Sequence, residues 1–400
     1  MEDLRARATK ARQIVSRLAS TSRFAGSDAE TGARGYCRSL LEERGFSAEE
    51  QQFEYSQMPG RWGPSVAAIL AAIIVWLAAH LATKHHAPVL GLAEVAAGLP
   101  LLGIAGFWLA RFGVLSLRAG RSSATNLVAT RSGAESSPLV WIVAHLDSKS
   151  QTIPMLVRIG SAVGFVVLSA GVAACVLVLA TLAMPIHANW IDVGLLGRIA
   201  TILSYIAVAA AIPIVLCFVG DRSPGALDNA TGVASVILAL DKLKERDDFG
   251  VLITSAEELG LAGARAFVAT HGATGIAINC DTIDDAGNFI CMASGAGNRR
   301  LDEAIDRAAS RLQAETVAVE SFARRGTRGR RMLRLRGMIP GILADNVAFT
   351  DAGWESFTLS RGNICTLGLV HTSRDVPDRV KGTGIAKAAD FIAAIVQELG

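Results

Sequence analysis

Four long apolar runs, set in two pairs, limit what this chain can fold into more than anything else in it. Pro64 to Thr83 and Val89 to Ala110 are joined by the short Lys84-His85-His86-Ala87-Pro88 connection. Ile159 to Met184 and Ile199 to Val219 are joined by a loop containing Asn189-Trp190-Ile191-Asp192. Each run is near or above the roughly 20 apolar residues that cross a bilayer. Each pair therefore reads as a membrane hairpin whose ends return to one side. Composition agrees, because 51% of the 400 residues are hydrophobic and only 19% are charged, more apolar than a single water-soluble core calls for. The net charge of +3 argues against general nucleic-acid binding.

Within the spans, Gly160-Ser161-Ala162-Val163-Gly164 offers a face of small residues suited to close helix approach. His80 and Glu94 stand at comparable depth near the first connection, where they are placed to pair or to face water. Orientation follows from the cations beside the spans. Arg61, Arg111, Arg118, Arg121, Lys149, Arg158 and Arg222 flank the return side, against Lys84 and Arg198 on the connection side. Positive residues stay inside, so the remainder of the chain is expected in the cytoplasm of a multi-pass membrane protein. The start, Met1-Glu2-Asp3-Leu4-Arg5, reads as an amphipathic helix and not as a cleavable signal. The six cysteines show no disulfide or zinc-knuckle spacing, and reduced structural thiols are expected.

Outside the spans, helical and strand patterns alternate. Helices are expected over Leu4–Leu18, Thr31–Arg44, Asn229–Lys244, Leu261–Thr270, Arg299–Gln313 and Gly384–Leu399. Strands are expected over Phe46–Tyr55, Asn126–Ala129, Leu139–Ala144, Val251–Ser255, Gly275–Cys280 and Cys365–Leu369. Such alternation implies an α/β sandwich around a mostly parallel sheet. The expected division is one α/β domain over residues 1–62, 112–157 and 221–400, with hairpins at 63–111 and 158–220.

The chemistry gathers where strands end, the edge at which open α/β folds bind ligands. Val251-Leu252-Ile253-Thr254 runs into Glu257-Glu258, and adjacent carboxylates point in different directions. One can hold a metal while the other stands by as a general base. His145, Asp281 and His371 also end strand-like runs, and Asp228 follows a turn and opens a helix. His145-Leu146-Asp147 places a carboxylate where it can hold the far nitrogen of the imidazole. Two histidines and three carboxylates emerge as metal donors, with a spare Glu and a spare Asp.

Five segments in order carry a resemblance. They are Ala144-His145-Leu146-Asp147-Ser148, Asp228-Asn229-Ala230-Thr231-Gly232-Val233-Ala234, Ser255-Ala256-Glu257-Glu258-Leu259-Gly260, Asn279-Cys280-Asp281 and His371-Thr372-Ser373-Arg374-Asp375. Together they resemble the co-catalytic zinc aminopeptidase family, which also contains glutamate carboxypeptidase II and the glutaminyl cyclases. The resemblance implies a three-layer α/β/α, zinc-exopeptidase-like sandwich around a mixed, mostly parallel sheet, here with about four transmembrane helices in two hairpins. It implies two Zn2+ per chain, one on His145, Asp228 and Asp281, the other on Asp228, Glu258 and His371. Glu257 would be the general base, and Asp147, holding the His145 ring, the other catalytic residue. Ala344-Asp345-Asn346 resembles a late segment that usually reads Ser-Asp-His, so Asn346 stands where a histidine is usual.

The implied activity is removal of N-terminal residues from peptides or other aminoacyl substrates. Hydrolysis of aminoacyl or N-acyl lipids and glutaminyl-cyclase-like chemistry are the alternatives among enzymes. An inactive membrane scaffold is the alternative outside them. The hairpin between Asp147 and Asp228 replaces a short loop of the relatives, which suggests a metal site close to the bilayer. The basic run Arg324 to Arg336 is a candidate contact for anionic headgroups.

Overall fold

A computed structural model describes residues 2–133, 138–183, 193–293, 299–313, 333–336 and 343–400, with backbone alone at 299, 313 and 333–336. The chain forms two compact units. One comprises Met1–Ser56, Leu117–Ser150 and Gly220–Gly400, and the other Gln57–Ser116 and Gln151–Val219.

The first unit is built on a sheet of β1 (Phe46–Ser56), β2 (Arg121–Arg131), β3 (Val140–His145), β4 (Phe249–Thr254), β5 (Ile276–Ile283), β6 (Asn288–Ala293), β7 (Leu333–Arg336) and β8 (Glu355–Gly362). Their spatial order is β1-β2-β4-β3-β5-β8-β6-β7. The central strands β4, β3, β5 and β8 run parallel, and the neighbours β2 and β6 are antiparallel to them. The strands are apolar on both faces because both are covered. Ile142, Ala144, Val251, Ile253 and Ile278 face one layer, with helices α1 (Glu2–Leu18), α2 (Asp28–Glu42) and α3 (Thr231–Leu240). The alternate residues Trp141, Val143, Leu252 and Ala277 face the other, with Phe267 of α4 (Ala262–His271). Helix α5 (Arg299–Gln313) belongs to the first layer, α6 (Asn346–Asp351) to the second, and α7 (Thr383–Leu399) to the first. The period of two along each strand thus produces the three layers.

Two expected elements differ. Cys365–Leu369 is not a strand: Ile364–Leu367 is a helical turn, because the Asn363 side chain accepts hydrogen bonds from the Cys365 and Thr366 amides. The strand beside β5 is instead Glu355–Gly362, where Phe357 and Leu359 alternate with Ser356 and Thr358. The helix expected from Asn229 begins regularly only at Thr231, after an irregular turn at Ala226–Ala230.

The second unit holds four helices long and apolar enough to cross a membrane: Met58–Thr83, Pro88–Ser116, Met155–Leu182 and Val193–Val215. They pack on each other through Val75, Ala79, Val172, Val176 and Ala207. Large apolar side chains elsewhere on them point outward, with Leu101, Ile104 and Val166 each 65% exposed. An exposed apolar surface of this extent marks a contact with a membrane or with another protein. Close approach is made by Gly91, where a Cβ would stand 2.4 Å from the Ala78 carbonyl oxygen. A Cβ added at Gly160 or Gly164 would meet nothing within 4 Å, so among the described residues the expected close helix contact is not formed there. Among the described residues His80 makes no ion pair with Glu94; its ring stacks on Trp76 at 5.0 Å. The run Arg324 to Arg336 lies outside the described residues except for the backbone of β7, which pairs in parallel with β6.

Candidate metal centre

Each of the expected site residues stands where a central strand ends or a turn begins, on the side of the sheet where the parallel strands have their carboxyl ends. His145 is the last residue of β3, and Asp281 lies near the end of β5. Glu257 and Glu258 stand on a tight turn just past β4, and His371 on a turn after the Ile364–Leu367 helix. Asp228 sits in the irregular turn before α3, and the Asp228–Asn229 peptide is cis. Ala256, Leu261, Thr282 and His371 all adopt left-handed backbone without being glycine: His371 is a donor, Thr282 adjoins the donor Asp281, and Ala256 and Leu261 bracket the turn that bears Glu257 and Glu258. Such residues cost on the order of 1–3 kcal/mol apiece and persist where the surroundings impose them.

Two donor groups result, His145 with Asp228 and Asp281, and Asp228 with Glu258 and His371. Asp228 is common to both. Its Oδ1 lies 3.1 Å from His145 Nε2, and its Oδ2 lies 3.1 Å from His371 Nε2. Asp281 Oδ1 is 3.6 Å from His145 Nε2, and Glu258 Oε2 is 3.2 Å from His371 Nε2. Glu257 Oε2 is 4.0 Å from His145 Nε2 and belongs to neither group. All six side chains are buried.

The sequence pattern anticipates a contact between Asp147 and His145, and the structure divides it. His145 Nδ1 is 3.1 Å from the Asp147 carbonyl oxygen and 3.7 Å from its carboxylate. The carboxylate instead accepts hydrogen bonds from the Glu257 and Glu258 amides, at 3.1 and 3.2 Å. Asp147 therefore ties the His145 strand end to the turn bearing both glutamates. Asn346, the first residue of α6, donates to the Met292 carbonyl of β6 and accepts from the Thr358 hydroxyl of β8.

Other residues hold the loops through contacts that their sequence spacing does not announce. Arg23 is fully buried, and its guanidinium donates to the carbonyls of Leu18, Leu146, Pro224 and Gly225. Gly225 permits this closeness, since a Cβ there would meet Ser148 Cβ at 2.5 Å. Asp375 accepts from the Leu227 and Asp228 amides at 2.6 and 3.2 Å, joining the His371 turn to the shared carboxylate. Glu30 accepts from Ser255 and from the Gly26 amide. One signal was available: Ser27-Asp28-Ala29-Glu30 has the form of a helix capping box. Arg23→Met is expected to weaken zinc binding at least about tenfold by loosening both loops, since each charged hydrogen bond contributes about 1.5–3 kcal/mol. Chelator competition on protein still folded by circular dichroism checks this; unchanged zinc affinity counts against it.

The charges are unbalanced in a way that invites cations. Burial pushes the Glu257 carboxyl well above its ordinary range, against the pull of His145 and with the repulsion of Glu258, Asp345 and Asp281. Burial opposes charge on His145 too, but Glu257, Asp147, Asp228 and Asp281 outweigh it and raise its pKa well above the usual value. Burial likewise opposes ionisation of Glu258, but His371 and Lys149 overcome it and hold the carboxyl at about 2. Burial pushes Asp345 up to about 7. Although 3.1 Å from Asp228, His145 Nε2 has no partner in hydrogen-bonding geometry, and Glu258 Oε1 is buried without one. Buried polar atoms left in this state are costly unless a ligand takes them. Two imidazoles and three carboxylates suit zinc, so the donors fit the implied metal.

Residues 211–396 match Peptidase family M28. No curated protein matches the sequence. Among solved structures, the fold is similar to that of an aminopeptidase from Aneurinibacillus sp. strain AM-1, at 15% identity and a TM-score of 0.53 over 98% of this chain and 93% of that one. It is similar to BSAP, a zinc aminopeptidase from Bacillus subtilis, at 14% identity and a TM-score of 0.54 over 98% and 94%. It is also similar to a glutaminyl cyclase from Macrostomum lignano, at 13% identity and a TM-score of 0.51 over 99% and 91%. The matched residues include four of the five donors, Asp228, Glu258, Asp281 and His371, so this part of the chain is similar to Peptidase family M28.

Proposed function

We propose that this chain is a membrane-anchored aminopeptidase that uses two zinc ions to remove N-terminal residues from peptides. The observation that carries the reading is the shared carboxylate: each oxygen of Asp228 faces a different histidine, inside two all-donor groups. His145, Asp228 and Asp281 would hold one zinc, and Asp228, Glu258 and His371 the other. When bound, the metals would supply Lewis acidity toward the scissile carbonyl and a water acidified to near neutrality.

The remaining work falls to side chains. Glu257 Oε2 stands 4.0 Å from His145 Nε2 without belonging to either group, as a general base must. It would take the proton of the attacking water and return it to the leaving amine. Asp147 holds that carboxylate in place through the Glu257 amide and acts as a positioning residue. The four apolar helices would anchor the enzyme as a multi-pass membrane protein. The excess of Arg and Lys on the return side favours a cytoplasmic α/β unit. The bilayer is then a partner, with Arg324 to Arg336 as a candidate contact for its anionic headgroups.

The test is a hydrolysis screen on the full chain in detergent, with and without chelator. It covers aminoacyl fluorogenic peptides, acyl-amino acids, aminoacyl lipids and N-terminal glutaminyl peptides. Chelator-sensitive release from free N-termini is expected. Turnover confined to lipids, acyl-amino acids or glutaminyl cyclisation replaces the peptidase reading, and no turnover of any substrate supports a scaffold.

A further inference from the structure

By residue type the two donor groups are equivalent. Each has one imidazole, the shared Asp228 and one further carboxylate. Their surroundings differ. Lys149, with its side chain 14% exposed, places Nζ 2.8 Å from Glu258 Oε2 and donates to the Glu258 carbonyl oxygen at 2.9 Å. That same Oε2 is the oxygen 3.2 Å from His371 Nε2. The ammonium therefore shares the donor atom of the second group and neutralises its unshared carboxylate. Asp281, by contrast, accepts from its neighbour Thr282 and lies beside the donors His145 and Asp228, and among the described residues no Lys or Arg pairs with it.

We propose that Lys149 makes the pair unequal, so that the His145–Asp228–Asp281 group keeps its zinc while the Asp228–Glu258–His371 group holds an exchangeable one. The inference rests on the two-metal reading above. Its physical basis is ligand charge. A dication at the first group meets two uncompensated carboxylates, and at the second it meets the same number with a fixed positive charge on one of them. Affinity for a hard or borderline cation follows the net charge of its ligands, and a unit charge a few ångströms away in a buried site is weakly screened. The same lysine leaves Glu258 Oε1 free of hydrogen bonds, so the carboxylate stays oriented while its charge is offset.

The experiment loads the full chain in detergent with zinc and titrates it with chelators of increasing strength. Retained zinc is counted by elemental mass spectrometry at each step. The wild type is expected to lose its metals in two steps separated by at least roughly tenfold in chelator strength, a conservative reading of one weakly screened charge. Lys149→Met, which keeps the stem and removes the charge, is expected to shrink that gap by at least roughly tenfold by tightening the weaker step. Lys149→Arg should keep two steps. A wild type that releases both metals together overturns the inference and leaves the two-metal reading standing. So does a Lys149→Met protein with the wild-type gap, or one that binds less zinc. A wild type that binds no zinc above background overturns both.

Discussion

Glu257→Gln is expected to keep its zinc and lose its catalysis, with hydrolysis falling by about 10²–10⁴-fold, the usual contribution of a positioned general base. The substitution is nearly isosteric and touches neither donor group. The backbone amide that binds Asp147 is untouched as well, so the turn should hold its shape. Gln cannot accept and return a proton, and only that step is removed. Removing one of the mutually repelling carboxylates around Glu257, Glu258, Asp281 and Asp345 should, if anything, stabilise the metal-free protein. Zinc content by elemental analysis and steady-state rates on one aminoacyl substrate check both halves. A variant lacking zinc would move Glu257 into the ligand set, and a fully active one would remove it from the mechanism.

Asp228→Asn should have the largest effect of all, because it alters both groups at once. The shared carboxylate contributes one oxygen to each histidine's neighbourhood, and an amide offers one weaker oxygen and an NH2. Both metals are expected to be lost and hydrolysis to fall to background. Stability supplies a second readout. A ligand that binds only the folded state stabilises it by about 2.7 kcal/mol at one hundred times its dissociation constant. Wild-type protein should therefore melt higher in excess zinc than in chelator, and Asp228→Asn should melt alike in both. A variant still raised by zinc would mean that the two groups do not depend on Asp228.

Much of this site was legible because its donors end strands or begin turns, where a pattern of apolar residues stops abruptly. His145 after Val140–Ala144 and Glu257-Glu258 after Val251–Thr254 are of this kind. The apolar helices were legible from length alone, which needs no tertiary information. What could not be read were contacts between a side chain and a distant backbone. Asp375 binds the Leu227 amide across 148 residues, and Arg23 binds the Gly225 carbonyl across 202. Backbone partners have no residue type, so no spacing announces them. Lys149 shows the reverse problem. Its charge looked like part of the membrane-flanking excess, whereas it pairs with Glu258. Cys365–Leu369 folds as a helical turn and not a strand because a short apolar run fits both alike, and the Asn363 cap decides between them.

On the proposed reading, five residues far apart in the chain cage a pair of metals. Anomalous diffraction at the zinc absorption edge, from crystals of the full chain grown with zinc, tests it most directly. Two peaks are expected, one bounded by His145, Asp228 and Asp281 and the other by Asp228, Glu258 and His371. Zinc found elsewhere in the protein, with both groups lacking a peak, would contradict the account.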